Sequence, residues 1–418
     1  MDEFKTTDQE NIERLVAVFE SGCTAKRGRV GIELEHTLVH AYDDSPISYE
    51  EERGVKWLLE ALAPSYRTRE YDAYGNLVSL IRSYETVTLE PGEQVEISAG
   101  PFDDLSSAKA CLDDFERRLA GAASQGGLRV LSIGYHPTAR VREMPTSPKR
   151  RYELLASHLD SIGSFGRCMM YGTASTQVSI DYTDEHDCVR KMRLASVISP
   201  LLALITDNSP IFEGNARPHA LVRTKIWNEC DKARCATIPN VTSPLFSWRD
   251  YARYVLSAPA VMVYDDAAPG GLRGTDQSAF EVFSDAPMDE KDVELALGLV
   301  FPDVRLKSYI EIRPADALPI PYSIAYAALI KGLFSDEASL DALETLIGWP
   351  KDTDIWEAKD ALIENGYGAT VFGKDAGELA DALVEIAQSA LEEDERPYLE
   401  PLAKLISQRI TLADMARI

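Results

Sequence analysis

The sequence predicts an α+β fold, with strands and helices mixed before Pro321 and helices alone after it. Three distant segments, Val30–Val39, Ala174–Tyr182 and Ser308–Pro314, alternate apolar and polar residues, which is the period of a strand with one buried face. From Pro321 onward the apolar residues recur at the period of an amphipathic helix. Distant strands that share one sheet and a separate block of helices favour the α+β class.

The N-terminal part of the chain predicts helices and strands in turn. Its first helix is expected over Asp8–Glu20, where Ile12, Leu15, Val16 and Phe19 recur at helical spacing. The elements expected next are a strand over Val30–Val39, a helix over Tyr49–Ala63, strands within Tyr71–Ser98, a helix from Ser106 or Ser107 to Ser124, a strand over Leu128–His136 and a helix over Asp187–Ile205.

The segment from Pro137 to Arg151 is rich in proline and basic residues, and it is predicted to be a loop long enough to carry function. The last part of the chain is predicted to be helical throughout. Its expected helices cover Tyr322–Phe334, Glu337–Ile347, Ile355–Glu364, Ala376–Leu391 and Tyr398–Ile406.

The composition indicates a folded, acidic protein. Of its 418 residues, 45% are apolar, which is enough for a large core. The net charge of −25 and the isoelectric point near 4.7 argue against sequence-independent binding to nucleic acids or anionic membranes. No window approaches the roughly 18 uninterrupted apolar residues of a membrane span. The scattered cysteines favour a cytoplasmic protein with reduced thiols, and the oligomeric state is left open.

The segment Thr86–Ser98 predicts a β-hairpin with Glu90 and Glu96 on either side of its turn. A two-residue turn would direct the two carboxylates to opposite faces of the sheet. A three-residue loop, Pro91–Glu93, would pair Thr88 with Glu96 and place both carboxylates on the same face. We expect the three-residue loop, because a cation could then bridge the two acids.

Carboxylates recur on the strand faces opposite the apolar residues, at Glu33, Glu35, Glu90, Glu96 and Glu311. On one surface they would repel each other unless divalent cations lie among them. Oxygen ligands without a cysteine or histidine cluster favour magnesium or manganese over zinc. Since the chain has no P-loop motif, a nucleotide would have to be held by metal ions and by basic side chains such as Arg313.

Six motifs occur in one order between about Val30 and Phe334, namely Gly31–Glu35, Leu89–Ser98, Met169–Met170 with Thr176–Val178, Ser209–Gly214, Arg223–Trp227 and Arg305–Arg313. Together they resemble the plant-type glutamate-cysteine ligases, a family of carboxylate-amine ligases that includes bacterial members. Each motif alone is weak, and their joint occurrence is specific.

This resemblance implies a glutamine-synthetase-like fold, in which a curved, mainly antiparallel sheet forms a funnel with helices packed outside. It implies a catalytic domain over residues 1–334 and a helical region over residues 335–418 packed on it. It also implies a reaction, in which ATP phosphorylates the side-chain carboxylate of glutamate and the amino group of cysteine displaces phosphate. Phosphoryl transfer of this kind depends on positioning and on charge neutralisation, which suits an acidic, metal-binding sheet.

The resemblance also implies a role for each candidate site residue within the six motifs. The five glutamates are the implied magnesium ligands, and Glu311 also belongs to the catalytic pair with Arg313, which neutralises phosphate in the transition state. Lys307 and Arg313 are the implied nucleotide contacts. The implied substrate contacts are Arg223 on the α-carboxylate, Trp227 as a pocket wall and Gln177 as a neutral metal ligand or substrate contact.

The segment that follows Trp227 departs from the family pattern. The family usually continues into a threonine- and aspartate-rich stretch with an Arg-Thr-Gly element. In this chain, residues Asn228–Thr237 have the sequence NECDKARCAT, which lacks that element. Because this segment adjoins the substrate pocket, a ligase with another amine acceptor or another acidic donor is an alternative. A sheet that binds metal or nucleotide without catalysis is a second alternative, and the presence of Glu311 and Arg313 argues against it.

Overall fold

The computed structural model describes residues 6–163 and 165–416, so residues 1–5 and 164 of the predicted catalytic domain and residues 417 and 418 of the predicted C-terminal region lie outside it. Its strands are β1 Val30–His40, β2 Thr68–Tyr71, β3 Leu77–Arg82, β4 Glu85–Leu89, β5 Val95–Phe102, β6 Leu128–Leu131, β7 Ser175–Ile180, β8 Ile211–Phe212, β9 Asn215–Ala216, β10 Pro259–Tyr264, β11 Leu272–Ser278, β12 Val304–Leu306, β13 Ile310–Asp316, β14 Thr370–Val371 and β15 Lys374–Asp375.

Within these described residues, nine strands form one antiparallel sheet. Its order is β12-β13-β7-β1-β5-β4-β3-β2, and β6 pairs with the second half of β1. The pairs β8-β9, β10-β11 and β14-β15 are separate. The short β14-β15 pair lies between the helices α13 Asp352–Asn365 and α14 Ala376–Ala390, so the prediction of helices alone after Pro321 is wrong at this point. The central strands β13, β7, β1 and β5 come from distant parts of the chain, which is why their inner faces can assemble a site from scattered residues.

Alternation along β1 separates the core from the inner face of the sheet. Ile32 and Leu34 are buried in the main hydrophobic core, whereas Glu33 and Glu35 point the other way, into a cavity. His36 follows the parity of the apolar residues and is fully buried. The predicted division of this strand into an apolar face and an acidic face is therefore confirmed.

Helices α3, α5 and α11 contact the strands of the main sheet and contribute to the core. The helices are α1 Thr6–Ser21, α2 Val55–Leu62, α3 Leu105–Gly126, α4 Arg150–Ile162, α5 Glu185–Ile205, α6 Val222–Glu229, α7 Lys232–Cys235, α8 Trp248–Ser257, α9 Ala279–Val282, α10 Glu290–Leu297, α11 Ile320–Phe334, α12 Glu337–Ile347, α13 Asp352–Asn365, α14 Ala376–Ala390, α15 Glu400–Ser407 and α16 Leu412–Met415. No helix in the described part of the chain is long and apolar enough to cross a membrane.

Two predicted helix starts are wrong. Helix α3 is capped by Asp104, whose carboxylate accepts the backbone N–H of Ser107 at 2.7 Å, so the cap is not one of the two serines. Helix α2 begins at Val55 instead of Tyr49. The backbone N–H of Tyr49 instead donates to the carboxylate of Glu93 at 3.1 Å, a tertiary contact that the local pattern does not encode.

Two further differences concern the middle of the chain. The strand expected over Leu128–His136 is formed only over Leu128–Leu131. Between α6 and β12 the structure contains α7 to α10 and the β10-β11 pair, which the sequence did not predict. The division at residue 334 stays a prediction, and the main core includes residues from both sides of it, such as Leu15 and Leu402.

The loop Pro91–Glu93 joins β4 to β5 and confirms the three-residue alternative. Thr88 pairs with Glu96, and the backbone N–H of Glu90 donates to the carbonyl of Gln94 at 2.9 Å. The last loop residue has a φ of 67°, the left-handed conformation that closes such loops. The side chains of Glu90 and Glu96 consequently lie on the same face of the sheet.

Replacing Gly92 by alanine is expected to lower the free energy of unfolding by about 1–3 kcal/mol. A Cβ atom at this position would lie 2.4 Å from the carbonyl oxygen of Tyr171, which is backbone and cannot rotate away. Gly121→Ala in α3 is the matched control, because nothing lies within 4 Å of its Cβ position. Urea unfolding measures both variants, and equal stabilities would contradict this account of the hairpin.

Replacing Glu93 by glutamine is expected to stabilise the protein at pH 8 and to have little effect near pH 5. Burial raises the pKa of Glu93 from 4.5 to about 8. A carboxyl with a raised folded-state pKa costs stability as the pH rises from its unfolded-state value to its folded-state value. The gain at pH 8 should be on the order of a few kcal/mol.

Thermal unfolding of wild-type protein and Glu93→Gln across this pH range measures the effect. The amide oxygen can still accept the N–H of Tyr49, so the loop contact is retained in the variant. A stability difference that does not change with pH would show that Glu93 is not protonated in the folded protein.

Candidate active site

The inner face of the main sheet opens into a cavity of about 1040 Å³. Strands β1, β4, β5, β7, β12 and β13 and helices α1, α4, α6 and α10 contribute to its wall. All the predicted site residues except Glu311 line it, namely Glu33, Glu35, Glu90, Glu96, Gln177, Lys307, Arg223, Trp227 and Arg313. A cavity of this size can hold a large ligand or two smaller ones.

Three of the predicted metal ligands meet at one point of this cavity. One carboxylate oxygen from each of Glu33, Glu35 and Glu96 lies within 4.8 Å of the others. Glu35 and Glu96 are direct cross-strand partners in β1 and β5. Gln177 faces Glu33 from β7, and its amide donates a hydrogen bond to that carboxylate. We call Glu33, Glu35 and Glu96 the acidic triad.

Neutral donors hold all three members of the acidic triad in place, since Glu33 accepts a hydrogen bond from the amide of Gln177. Glu35 accepts the backbone N–H of Ser175 at 2.8 Å and its hydroxyl at 2.7 Å. Glu96 accepts the hydroxyl of Thr88 at 3.0 Å. These bonds fix the orientation of the carboxylates without neutralising their charge, as the outer contacts of a metal site do.

The electrostatics of the triad favour a positively charged ligand. Burial and the neighbouring carboxylates raise the pKa of both Glu33 and Glu96 to about 8. Burial also raises the pKa of Glu35, although Arg223 opposes this shift. In the protein alone, burial and mutual repulsion therefore favour the protonated forms of these carboxyls. A divalent cation could replace those protons, and the three oxygen donors fit a hard cation.

Glu90 lies beside the triad in a different setting. Its carboxylate accepts the hydroxyl of Tyr152 at 3.3 Å, and burial together with Glu35 raises its pKa to about 7. Lys149 also lines the cavity here, and its ammonium donates to the carbonyl of Leu89 at 2.8 Å. The sequence did not single out Lys149 or Tyr152, although the predicted functional loop contains the lysine.

Glu311 belongs to a cluster of opposite charges. Arg305 and Arg313 bind its Oε2 at 2.7 and 2.5 Å, and Lys307 lies 3.3 Å from its Oε1. Although burial favours protonation, these cations hold the pKa of Glu311 well below its usual range. The structure thus does not bring Glu311 into the acidic triad, and its role as a metal ligand stays a prediction.

Gln177 connects the two clusters. Its amide nitrogen donates to Glu33, and its amide oxygen accepts a hydrogen bond from Arg313. Arg313 and Lys307 both line the cavity, so they can meet an anionic group bound next to the triad. One wall of the cavity is therefore acidic and the adjoining wall is basic, as a site for a metal–phosphate complex requires.

Arg223 and Trp227 lie one helical turn apart on α6 and share one face of it. The guanidinium of Arg223 stacks on the indole of Trp227 at 3.9 Å from the ring centroid. Its one hydrogen bond to the described residues is long, 3.5 Å to the carbonyl of Arg313, which leaves donors available for a carboxylate. The indole N–H of Trp227 donates to the carbonyl of Phe301 at 3.1 Å, so this wall is anchored.

Comparison with known proteins agrees with this geometry. The model of glutamate-cysteine ligase family 2 matches residues 29–417. Glutamate–cysteine ligase B, chloroplastic, from Oryza sativa subsp. japonica is 28% identical over 411 residues, which cover 96% of this chain and 82% of that protein. The chloroplastic enzyme of Nicotiana tabacum is 29% identical over 354 residues, covering 83% and 66%.

The fold is also similar to a solved structure, that of glutamate–cysteine ligase from Francisella tularensis in complex with AMP. The TM-score is 0.54 at 10% identity, over 91% of this chain and 82% of that one. This likeness confirms the predicted glutamine-synthetase-like fold. Fold and family together define the protein as an ATP-dependent ligase that forms carbon–nitrogen bonds. The chain belongs to glutamate-cysteine ligase family 2.

Proposed function

We propose that this protein joins the side-chain carboxylate of glutamate to the amino group of cysteine at the expense of ATP, forming γ-glutamylcysteine. The observation that carries the proposal is the meeting of the acidic triad, the Lys307–Arg313 cluster and Arg223 in one cavity. Family membership supports the reaction class, and the relatives named glutamate–cysteine ligase support cysteine as the acceptor. Synthesis of this dipeptide is the first step towards glutathione-type thiols.

The acidic triad would hold magnesium or manganese, with Glu90 and Glu311 as further ligand candidates. Three hard oxygen donors within 4.8 Å of one another suit either cation. When bound, the cation would offset the charge of the nucleotide phosphates and orient the transferred phosphoryl group. Gln177 would serve as a neutral ligand or as a substrate contact, because its amide already touches the triad.

Arg223 would bind the α-carboxylate of glutamate through two parallel hydrogen bonds. Its charge is buried, and Glu35 and Asp316 are the neighbouring acids that favour its ionised form. The indole of Trp227 holds the guanidinium plane from one side. A guanidinium held in this way would fix the α-carboxylate and leave the side chain of glutamate free to extend towards the triad.

Lys307 and Arg313 would bind the phosphates and stabilise the charge that develops during transfer. The γ-phosphoryl group passes from ATP to an oxygen of the glutamate side chain, releasing ADP and forming an acyl phosphate. The amino group of cysteine then attacks the acyl carbon, phosphate leaves, and the nitrogen loses a proton. Neither step requires a covalent bond to the protein, so positioned charges can supply the catalysis.

The catalytic domain would comprise residues 1–334, and the mainly helical region after it would pack on that domain, as the shared core on both sides of residue 334 supports. The protein works in the cytoplasm, which the free state of all six cysteines supports.

The proposed function is tested by incubation with ATP, magnesium, glutamate and a panel of amines. ADP and the amide product are both measured. We expect cysteine to give the highest kcat/KM, with ADP and product formed in equal amounts. If another amine gave a higher kcat/KM, that amine and not cysteine would be the preferred acceptor. If no combination of acid and amine led to release of ADP, the ligase reaction would be refuted.

A further inference from the structure

A buried lysine outside the cavity is connected to the wall that carries Trp227 and Arg313. Lys359 lies on α13 in the C-terminal helical region and is 2% exposed. Its ammonium is 2.6 Å from a carboxylate oxygen of Asp303, its one ion-pair partner within the described part of the chain. A lysine buried at this depth is costly unless its charge is matched, so the pair constrains both residues.

Asp303 belongs to the segment of residues 300–304, which runs into the start of β12 and contributes Phe301 to the cavity wall. The main chain of this segment holds two site residues. The carbonyl of Phe301 accepts the indole N–H of Trp227 at 3.1 Å, and the carbonyl of Asp303 accepts the backbone N–H of Arg313 at 2.8 Å. The position of this segment therefore sets the positions of a pocket wall and of a phosphate-binding residue.

The side chain of Asp303 ties the segment to α5 and α13, in addition to the main-chain contacts that Phe301 makes with Arg234 and Val304 makes with Ile312. The hydroxyl of Ser199 on α5 donates to the same carboxylate oxygen that Lys359 contacts, at 2.9 Å. Without the lysine, this carboxylate would keep one neutral donor and would gain by turning towards solvent. Loss of this tie would let the main chain at Asp303 shift, and with it the carbonyl that holds Arg313. Small displacements of catalytic groups reduce rates strongly.

We propose that Lys359 is a positioning residue that holds Trp227 and Arg313 in place through Asp303. The proposal rests on the proposed function for its kinetic consequences, but the contact itself can be observed without activity. It gives the C-terminal helical region a role in the active site, since α13 supplies a charge that the cavity wall needs.

The kinetic test compares Lys359→Met with Lys331→Met in the full-length protein. Lys331 is a control, because it also forms an ion pair, partly buried and 2.7 Å from Glu395, but it makes its other contact with the carbonyl of Asp103 and not with the segment 300–304. We expect Lys359→Met to lower kcat by about 10- to 100-fold in the folded protein. Lys359→Arg should recover part of this loss. Equal kcat values in the two methionine variants would overturn the proposal.

Loss of folding is separated from loss of positioning by the double variant Asp303→Asn, Lys359→Met. It leaves no unpaired buried charge, so it should be more stable than Lys359→Met alone. Its kcat should stay low, because the anchor of the segment is still absent. Recovery of wild-type kcat in the double variant would show that Lys359 affects stability only.

The indole N–H resonance of Trp227 tests the contact independently of the reaction. It can be assigned among the five tryptophans with Trp227→Phe. We expect its proton shift to move in Lys359→Met and to stay unchanged in Lys331→Met. An unchanged shift in both variants would refute the positioning role, whereas a wild-type protein that makes no γ-glutamylcysteine would refute the proposed function alone.

Discussion

Glu96→Gln is expected to remove nearly all metal-dependent ligase activity, with a fall in kcat of roughly 1,000-fold. Glutamine keeps the shape of the side chain but removes one of three anionic oxygen donors that lie within 4.8 Å of each other. The variant should also be more stable than wild type at pH 8 in the absence of metal. Burial and neighbouring carboxylates raise the pKa of Glu96, so its ionisation costs stability that the neutral amide does not. Activity and metal-free stability should therefore change in opposite directions.

Kinetics at saturating magnesium and thermal unfolding in a chelator measure these two effects. Glu70→Gln on the edge strand β2 is the control, since Glu70 is exposed and does not line the cavity. It should match wild type in both measurements. If Glu96→Gln retained near-wild-type activity, the assignment of the acidic triad as the metal site would be wrong.

Arg313→Lys is expected to lower kcat by about 100- to 1,000-fold while the KM for glutamate changes little. Lysine keeps the positive charge but loses the planar guanidinium that contacts Gln177 and lies 2.5 Å from Glu311. The guanidinium of Arg313 should contribute most in the transition state of phosphoryl transfer, so kcat should fall more than KM changes.

Steady-state kinetics with each substrate varied in turn measure this prediction. Arg29→Lys is the control, because Arg29 forms a two-point ion pair with Asp181, at 2.8 and 2.9 Å, without lining the cavity. A variant Arg313→Lys with normal kcat and a raised KM for glutamate would make Arg313 a substrate-binding residue instead.

Much of the fold follows from periodic patterns that each segment carries by itself. Helix α12 occupies Glu337–Ile347, the predicted bounds, because its apolar residues and its flanking turns are local signals. The same is true of the two faces of β1. The start of α2 could not be predicted in this way, since Tyr49 is held out of the helix by a hydrogen bond to Glu93, 44 residues further along the chain.

The candidate site shows the same limit. The acids of the triad could be found because strand parity places Glu33, Glu35 and Glu96 on one face. Lys149 could not be placed, because its position depends on a contact with the carbonyl of Leu89, 60 residues earlier in the chain. The contacts of Arg305 and Lys307 with Glu311 could not be predicted either, because they depend on the pairing of β12 with β13, which sets Arg305 opposite Glu311.

The most direct test of the metal site is a crystal structure of the protein with ADP and magnesium. We expect at least one magnesium ion bound by carboxylate oxygens of Glu33, Glu35 and Glu96, at about 2.1 Å from each ligand oxygen. The nucleotide phosphates should lie between that ion and the side chains of Lys307 and Arg313. Magnesium bound elsewhere, with the triad still holding its hydrogen bonds to Ser98, Ser175, Thr88 and Gln177, would contradict the account.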